Sequence, residues 1–285
     1  MSTATPPPPP PPPPPSPPTP VGQPPQQGMS TAAKVVLFVV LPLLVLVLIA
    51  VTTVVAASVL RGNPVNERFD LEAGSRVEVT VPNASMEFGP SEDDLVHVIV
   101  TGSYFGPEPT IDALTSGDVT TVRGSCREEW FNRCSLRITV ALPESLPLSA
   151  DGRNGRISAV GLTGALELET TNGGIDARTV RGDLDLRTTN GGIRVEDSRS
   201  ADVTASTTNG NVDLYFTQAP QTVDAESTNG PVTVRVPDDG EEYFVAADTT
   251  NGTVDTDTVP SDRRAEREIT AETTNGNVTV ERANE

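Results

Sequence analysis

The residue types that carry most chemistry are scarce in this chain. The one histidine, His97, sits inside the apolar alternation Val96-His97-Val98-Ile99-Val100. That setting suits a partly buried structural imidazole, and a lone histidine forms neither a histidine metal set nor a paired catalytic dyad. The two cysteines, Cys126 and Cys134, enclose Arg127, Trp130, Phe131 and Arg133. Eight positions apart, they suit a short disulfide loop in an oxidising compartment. Closed in this way, the loop is either a contact tip built on the only tryptophan or a structural plug whose bridge restricts the unfolded chain. Asp176, Asp213, Asp255 and Asp257 offer the oxygen atoms a calcium site needs. The Gly-Gly-x-Gly-x-Asp nonapeptide of calcium-binding β-rolls is absent, however, so they read as a solvated acidic face. Arg153, Arg156, Arg178, Arg181, Arg187, Arg194 and Arg199 alternate with acids such as Asp183 and Asp185. These are residue types of a polysaccharide-cleaving cleft, but no lysine follows Lys34, and such alternation reads as a charge-paired surface. No catalytic, cofactor-binding or metal-ligating residue is assigned, and the chain is expected to be neither an enzyme nor a cofactor carrier.

The formal net charge of -19 bears on partners. A chain this acidic lacks the basic surface that neutralises phosphates, so nucleic acid is excluded as a partner. The charge is unevenly spread over unlike segments. Residues 1–34 hold an unbroken proline run from Pro6 to Pro15, which predicts a disordered, partly polyproline II tail. Val35 to Leu60 carry no charge, and at the helical rise they span ~39 Å, enough for one membrane crossing. A cleaved signal peptide is the competing reading, with Val55-Ala56-Ala57 as its cleavage site. Residues 61–75 read as a linker, 76–150 as an irregular β entrance containing the cysteine loop, and 151–285 as repeats. The cysteine pair and the long acidic C-terminal part place the amino terminus in the cytoplasm and residues 62–285 outside.

The elements that position these groups follow from one recurring phrase. It reads Thr170-Thr171-Asn172-Gly173, Thr188-Thr189-Asn190-Gly191, Thr207-Thr208-Asn209-Gly210, Ser227-Thr228-Asn229-Gly230, Thr249-Thr250-Asn251-Gly252 and Thr273-Thr274-Asn275-Gly276, after a degenerate copy ending in Asn154-Gly155. A fixed phrase at a period near 20 marks a repeat architecture. Each period holds two short stretches with apolar residues at every second position, such as Leu184 and Leu186 before the phrase and Ile193 and Val195 after it. Period two with one apolar face means strands. An antiparallel meander accommodates two strands and two turns per period, but it requires no identity at every second turn. A β-solenoid does, because equivalent corners stack. Asn154, Asn172, Asn190, Asn209, Asn229, Asn251 and Asn275 would then form a hydrogen-bonded ladder, each above the last, with glycine or asparagine supplying a positive φ at the corner. The expected fold is all-β: a solenoid of seven coils, ~34 Å long, preceded by one transmembrane helix, with Arg282 to Glu285 as its polar end.

The iterated Thr-Thr-Asn-Gly-x-Ile/Val phrase, with the lead-in Leu136-Arg137-Ile138-Thr139-Val140-Ala141-Leu142-Pro143-Glu144-Ser145-Leu146, resembles the bacterial putative-adhesin family of β-strand-repeat proteins, a domain-of-unknown-function family. The resemblance covers roughly residues 75–282 and implies a β-solenoid at the cell envelope. The proline-rich tail and the near-replacement of lysine by arginine resemble proteins of high-GC actinobacteria. The expectation is a single-span cell-surface protein that acts by contact on an unknown envelope glycan or protein ligand. An envelope sensor is the alternative, and a glycan-acting enzyme a third. Oligomeric state is left open.

Overall fold

In the computed structural model the described residues are 30–126 and 133–283. The proline run, Arg127, Trp130 and Phe131 therefore lie outside the described residues, and of Arg133 only the backbone is described. The chain forms two units, Met1–Ala57 and Ser58–Glu285.

The first unit is helical. A short helix α1 (Thr31–Val35) passes through a π-helical turn, Val36–Val40, into α2 (Leu41–Arg61). Pro42 explains the turn. Its ring lacks an N–H and crowds the carbonyl four residues back, so the preceding turn widens instead of continuing the α ladder. Residues Val36–Val55 are long and apolar enough to cross a membrane.

Beyond the end of α2, the elements of the second unit among the described residues are strands. Its entrance comprises β1 (Asn63–Glu72), β2 (Arg76–Thr80), β3 (Ala84–Pro90), β4 (Leu95–Phe105), β5 (Thr110–Ser116), β6 (Val119–Ser125) and β7 (Arg133–Leu142). Seven coils follow, each with two strands. They are β8 (Leu148–Asn154) with β9 (Ile157–Val160), β10 (Leu166–Asn172) with β11 (Ile175–Arg178), and β12 (Leu184–Asn190) with β13 (Ile193–Ser198). Next come β14 (Asp202–Asn209) with β15 (Val212–Phe216), and β16 (Thr222–Asn229) with β17 (Val232–Val236). The last two are β18 (Tyr243–Asn251) with β19 (Val254–Asp255), and β20 (Arg267–Asn275) with β21 (Val278–Arg282).

First strands of the coils form one sheet of ten strands and second strands form another of eleven, all coil-to-coil pairs being parallel. This is the β-solenoid. The entrance belongs to the same two sheets, because β2 pairs with β8 and β3 with β9. Inward positions stack as columns, for example Leu166, Leu184, Val203, Val223 and Ile269 from one sheet against Ile175, Ile193, Val212, Val232 and Val278 from the other, all buried. Alanines at the centre (Ala150, Ala205, Ala225, Ala271) keep the two sheets close. The entrance end is covered by strands of opposite sense: β4 pairs antiparallel with both β1 and β7, and β5 antiparallel with β6. Such a cover hides the open edges of the stack.

The expectation that each coil stacks on its predecessor fails at the far end. The sheet order runs β16, β20, β18 and β17, β21, β19, so the last coil in sequence is inserted beneath the one before it. Arg282 is consequently not the polar end of the stack; the coil of β18 and β19 is. Its Val254 is 44% exposed, whereas the equivalent Val278 is 0% exposed. Chemically equivalent corners permit this inversion, since any coil fits above any other.

The glycine expectation holds at some corners only: Gly155, Gly230 and Gly276 have positive φ. Gly173, Gly191, Gly210 and Gly252 are not among the residues of positive φ. They are glycine because backbones approach too closely for a side chain. A Cβ on Gly191 would lie 2.0 Å from the carbonyl oxygen of Gly173, and one on Gly210 equally 2.0 Å from that of Gly191.

His97 ties the edge strand β1 to β4. Its Nδ1 lies 2.6 Å from Oδ1 of Asp70, its direct cross-strand partner, and its Nε2 lies 2.9 Å from Oδ1 of Asp93. Two carboxylates accepting from one ring require the imidazolium, so hydrogen bonds first from Asp70 and then from Asp93 hold the His97 pKa above its ordinary value. The Leu95 N–H, followed by His97, holds Asp93 below the usual carboxylate range. A raised histidine contributes stability that is complete below the ordinary imidazole pKa and lost as pH climbs through the raised one. The lowered Asp93 contributes stability that is lost only as pH falls through its own depressed value. Thermal melting across pH is expected to show a decline on the alkaline side of ~6.5 that His97→Asn abolishes. An unchanged profile in the variant would contradict the clasp.

Candidate functional site

The corner phrase organises the surface, and each of its letters has a separate task. The first Thr or Ser points inward and is buried at Thr170, Thr188, Thr207, Ser227 and Thr273. Its hydroxyl donates to the corner glycine carbonyl of the coil below: Thr188 to Gly173 at 2.8 Å, Thr207 to Gly191, Ser227 to Gly210 and Thr273 to Gly230 at 2.9 Å. A buried carbonyl is satisfied at each rung. The second Thr faces solvent. The asparagine then donates to its neighbour: Asn172 Nδ2 to Asn154 Oδ1 and Asn190 to Asn172 at 2.9 Å, Asn209 to Asn190 at 2.9 Å, and Asn229 to Asn209 at 3.0 Å. The series continues through the inverted rungs, Asn275 to Asn229 at 2.9 Å and Asn251 to Asn275 at 3.0 Å. It begins one rung earlier than the repeat phrase, because Asn154 donates to Asn83 at 2.6 Å. The signal for Asn83 is faint: Ala84 stands where later corners carry glycine, 2.1 Å from a Cβ placed on Gly155.

Cys126 and Cys134 are joined, with Cα atoms 6.1 Å apart. Cys126 follows β6 of the ten-stranded sheet and Cys134 lies in β7 of the eleven-stranded sheet, so the bridge spans the corner between the two sheets. It takes the place that an Asn-Gly corner occupies in later coils.

The two outer faces differ in charge. At the eleven-stranded sheet the arginines are paired: Arg156 with Asp176, Arg178 with Glu196 at 2.8 Å, Arg194 with Glu196 at 2.7 Å, and Arg235 with Glu281. Arg194 and Arg235 also sit 5.8 and 4.9 Å from the ring of Tyr215. The pairing of Arg194 with Glu196 raises its pKa further. Asp213 accepts from Asn211, and Asp255 accepts from the N–H of Asp257. The seven arginines do not converge: Arg178 and Arg194 lie on this sheet, Arg153 and Arg187 on the other, and Arg156, Arg181 and Arg199 between strands.

The ten-stranded sheet places acids opposite acids at several points, although Arg187 stands opposite Glu169 between them. Glu226 faces Glu272, and Glu272 faces Asp248; on another part of the face Glu167 faces Asp185, and Asp151 faces Glu169. Like charges directly opposite on neighbouring strands destabilise a sheet. Burial first, and then Asp224 and Glu272, push the Glu226 pKa up. On the same face an open groove of about 470 Å³ runs across four coils. Pro147 and Ala165 are its exposed apolar groups, above the buried Leu148, Leu166 and Leu184, and Glu167, Asp183, Asp185 and Asp202 form an acidic rim with Arg76 at one end. Asp185 Oδ2 binds Arg187 at 2.7 Å, while its Oδ1 is buried and has no hydrogen-bond partner. Exposed apolar groups, carboxylates and an unused acceptor suit a ligand with an apolar body and amino or other cationic groups. Among the described residues no group of His, Cys, Asp and Glu is arranged to hold a metal ion.

A family model described as Toastrack DUF4097 matches residues 113–281, more than half of the chain. Among solved structures, a "putative adhesin" from Bacteroides fragilis is 12% identical, with 78% of this chain and 97% of that chain covered and a TM-score of 0.49. A "putative cell adhesion protein" from Clostridium sporogenes is 13% identical, with 78% and 100% covered and a TM-score of 0.38. A "putative lipid binding protein" from Parabacteroides distasonis is 15% identical, with 78% and 98% covered and a TM-score of 0.40. No curated protein matches.

The stacked acids make a further outcome measurable. A carboxyl whose pKa is raised on folding binds more protons in the folded state, so its contribution falls as pH rises from the unfolded value through the folded one. Glu226→Gln is therefore expected to raise the melting temperature at neutral pH and leave it unchanged below pH ~4. A lower melting temperature at neutral pH would contradict the repulsive row.

Proposed function

Because the chain belongs to the Toastrack DUF4097 family, we propose that it is a membrane-anchored cell-surface solenoid that works by non-catalytic contact. Residues 35–60 are its anchor, the β domain from β1 onward is displayed, and the amino terminus is in the cytoplasm. The stretch 61–75 expected as a linker is largely a strand of that domain. The apolar helix supports the anchor. The bridge between Cys126 and Cys134 supports an oxidising exterior. The ten-stranded face is the contact surface, and its partner is an envelope polymer that bears amino groups. The observation that carries this reading is the groove whose rim keeps Asp185 Oδ1 buried without a partner while acids stack on acids beside it. A sheet selected for stability alone would alternate its charges, as the opposite face does.

The experiment is a binding screen of the full chain in nanodiscs against amino-bearing, neutral and anionic oligosaccharides. Binding to the amino-bearing class, weakened by salt, is the expected result, and Asp185→Asn with Glu167→Gln should reduce it about tenfold, the loss of one charge-assisted contact. Arg178→Ala on the opposite face should leave it unchanged. Equal binding by all variants would place the contact surface elsewhere, and binding to no class would remove the glycan reading.

A further inference from the structure

The inverted coil order creates a slot. After β17 the chain climbs through residues 237–242 to β18, two rungs away, and the rung between is filled by β20 and β21, the last strands of the described chain. The inserted coil is in register on both sides. Asn275 donates to Asn229 and accepts from Asn251, Thr273 donates to the Gly230 carbonyl, and Thr249 donates to that of Gly276, at 2.9–3.0 Å. The slot therefore selects a coil bearing the Thr-Thr-Asn-Gly corner. Every other coil of this chain already occupies its own rung.

Two arginines latch the insert to the crossing segment. Arg267, at the start of β20, binds Glu241 at 3.0 Å and the Pro220 carbonyl at 3.0 Å. Arg282, at the end of β21, donates to the Pro237 carbonyl at 3.2 Å and to the Glu241 carbonyl at 2.8 Å. The sheet contacts beside the latch are unfavourable in charge, since Glu272 lies between Glu226 and Asp248. The segment joining the insert to β19, residues 256–266, holds the stack by local contacts: the Val245 N–H donates to Ser261 Oγ at 3.0 Å and the Asp262 N–H to the Tyr243 carbonyl at 2.9 Å, with Val259 buried.

We propose that residues 267–283 form an exchangeable rung, and that a second copy of this chain is its alternative host. When the latch opens, the slot presents two unpaired strand edges and an open section of core on each side, and the coil of matching register that an open latch also frees is the same coil of another copy. Reciprocal insertion joins two chains through their far ends, with each coil making the contacts it makes at home. The hinge is the segment 256–266. This linkage does not depend on what the acidic face binds.

The test uses full chains in detergent, in which Cys126 and Cys134 are already paired. Glu226 and Glu272 are direct neighbours across the slot. A single chain carrying Glu226→Cys and Glu272→Cys is expected to close an internal disulfide on oxidation. Two differently tagged chains, one with Glu226→Cys and one with Glu272→Cys, are then co-expressed, oxidised and run on a non-reducing gel. Cross-linked heterodimer is expected well above that from chains carrying Ser206→Cys and Glu226→Cys, which are neighbours on consecutive, uninverted rungs. Arg282→Ala in both chains weakens the closed chain and the exchanged dimer alike, so it should leave the final heterodimer level unchanged and make heterodimer appear about tenfold faster when separately purified chains are mixed, or ~1.4 kcal/mol in the barrier. Heterodimer equal to the control pair in both backgrounds, with the internal disulfide closing normally, would overturn exchange. Failure of the internal disulfide to close would overturn the inserted order itself.

Discussion

The structure depends on the distance between stacked corner backbones. From Gly173 onward, each corner glycine sits so near the carbonyl of its neighbour that an added Cβ would lie 1.8–2.3 Å from it. No L side chain survives that approach, so glycine is required on steric grounds at rung after rung. The same approach dictates the other letters. The crowded carbonyl is withdrawn from water and needs a donor, which the inward Thr or Ser hydroxyl supplies. The asparagine amides are brought to hydrogen-bonding distance and form a chain in which each donates in one direction. Strands on either side of such a corner can only run parallel, coil upon coil, and the two flat sheets follow.

Those sheets make the surface a set of straight rows, and the rows separate two behaviours. Along the eleven-stranded sheet, arginine and acid alternate and pair across rungs, and Tyr215 lies between two guanidinium groups. On the ten-stranded sheet acid faces acid at Glu226, Glu272 and Asp248 and again at Glu167 and Asp185. Parallel in-register stacking penalises the second arrangement, because rows of one charge sit at the ~4.8 Å strand spacing. The cost is local and falls on the face that also carries the groove, which is where a contact surface would hold it.

Much of this was legible in the residues. The recurrence of Thr-Thr-Asn-Gly and the period-two alternation around it were sufficient for a solenoid, its inward columns and the asparagine ladder. Rung order was not legible, because a corner that fits every neighbour carries no address. The only trace lies in spacing: Asn251 and Asn275 follow their predecessors by 22 and 24 residues where earlier intervals are 18 to 20, the extra length being the crossing segment and the hinge. Asn83 was hidden because its corner reads Asn-Ala and lies 71 positions before Asn154, across the strands that cover the entrance. The acidic groove was hidden as well. Its wall is assembled from five strands, and no single stretch of sequence contains more than three of its residues.

Close stacking confines every corner from Gly173 onward to glycine, and a positive φ adds to that constraint only at Gly230 and Gly276. The most direct measurement is the unfolding free energy of the full chain with Gly191→Ala, beside Gly89→Ala, whose nearest neighbour to an added Cβ is 4.0 Å away. Gly191→Ala should cost about 3 kcal/mol or more and Gly89→Ala no more than ~0.5 kcal/mol. Equal and small losses at both positions would contradict the account.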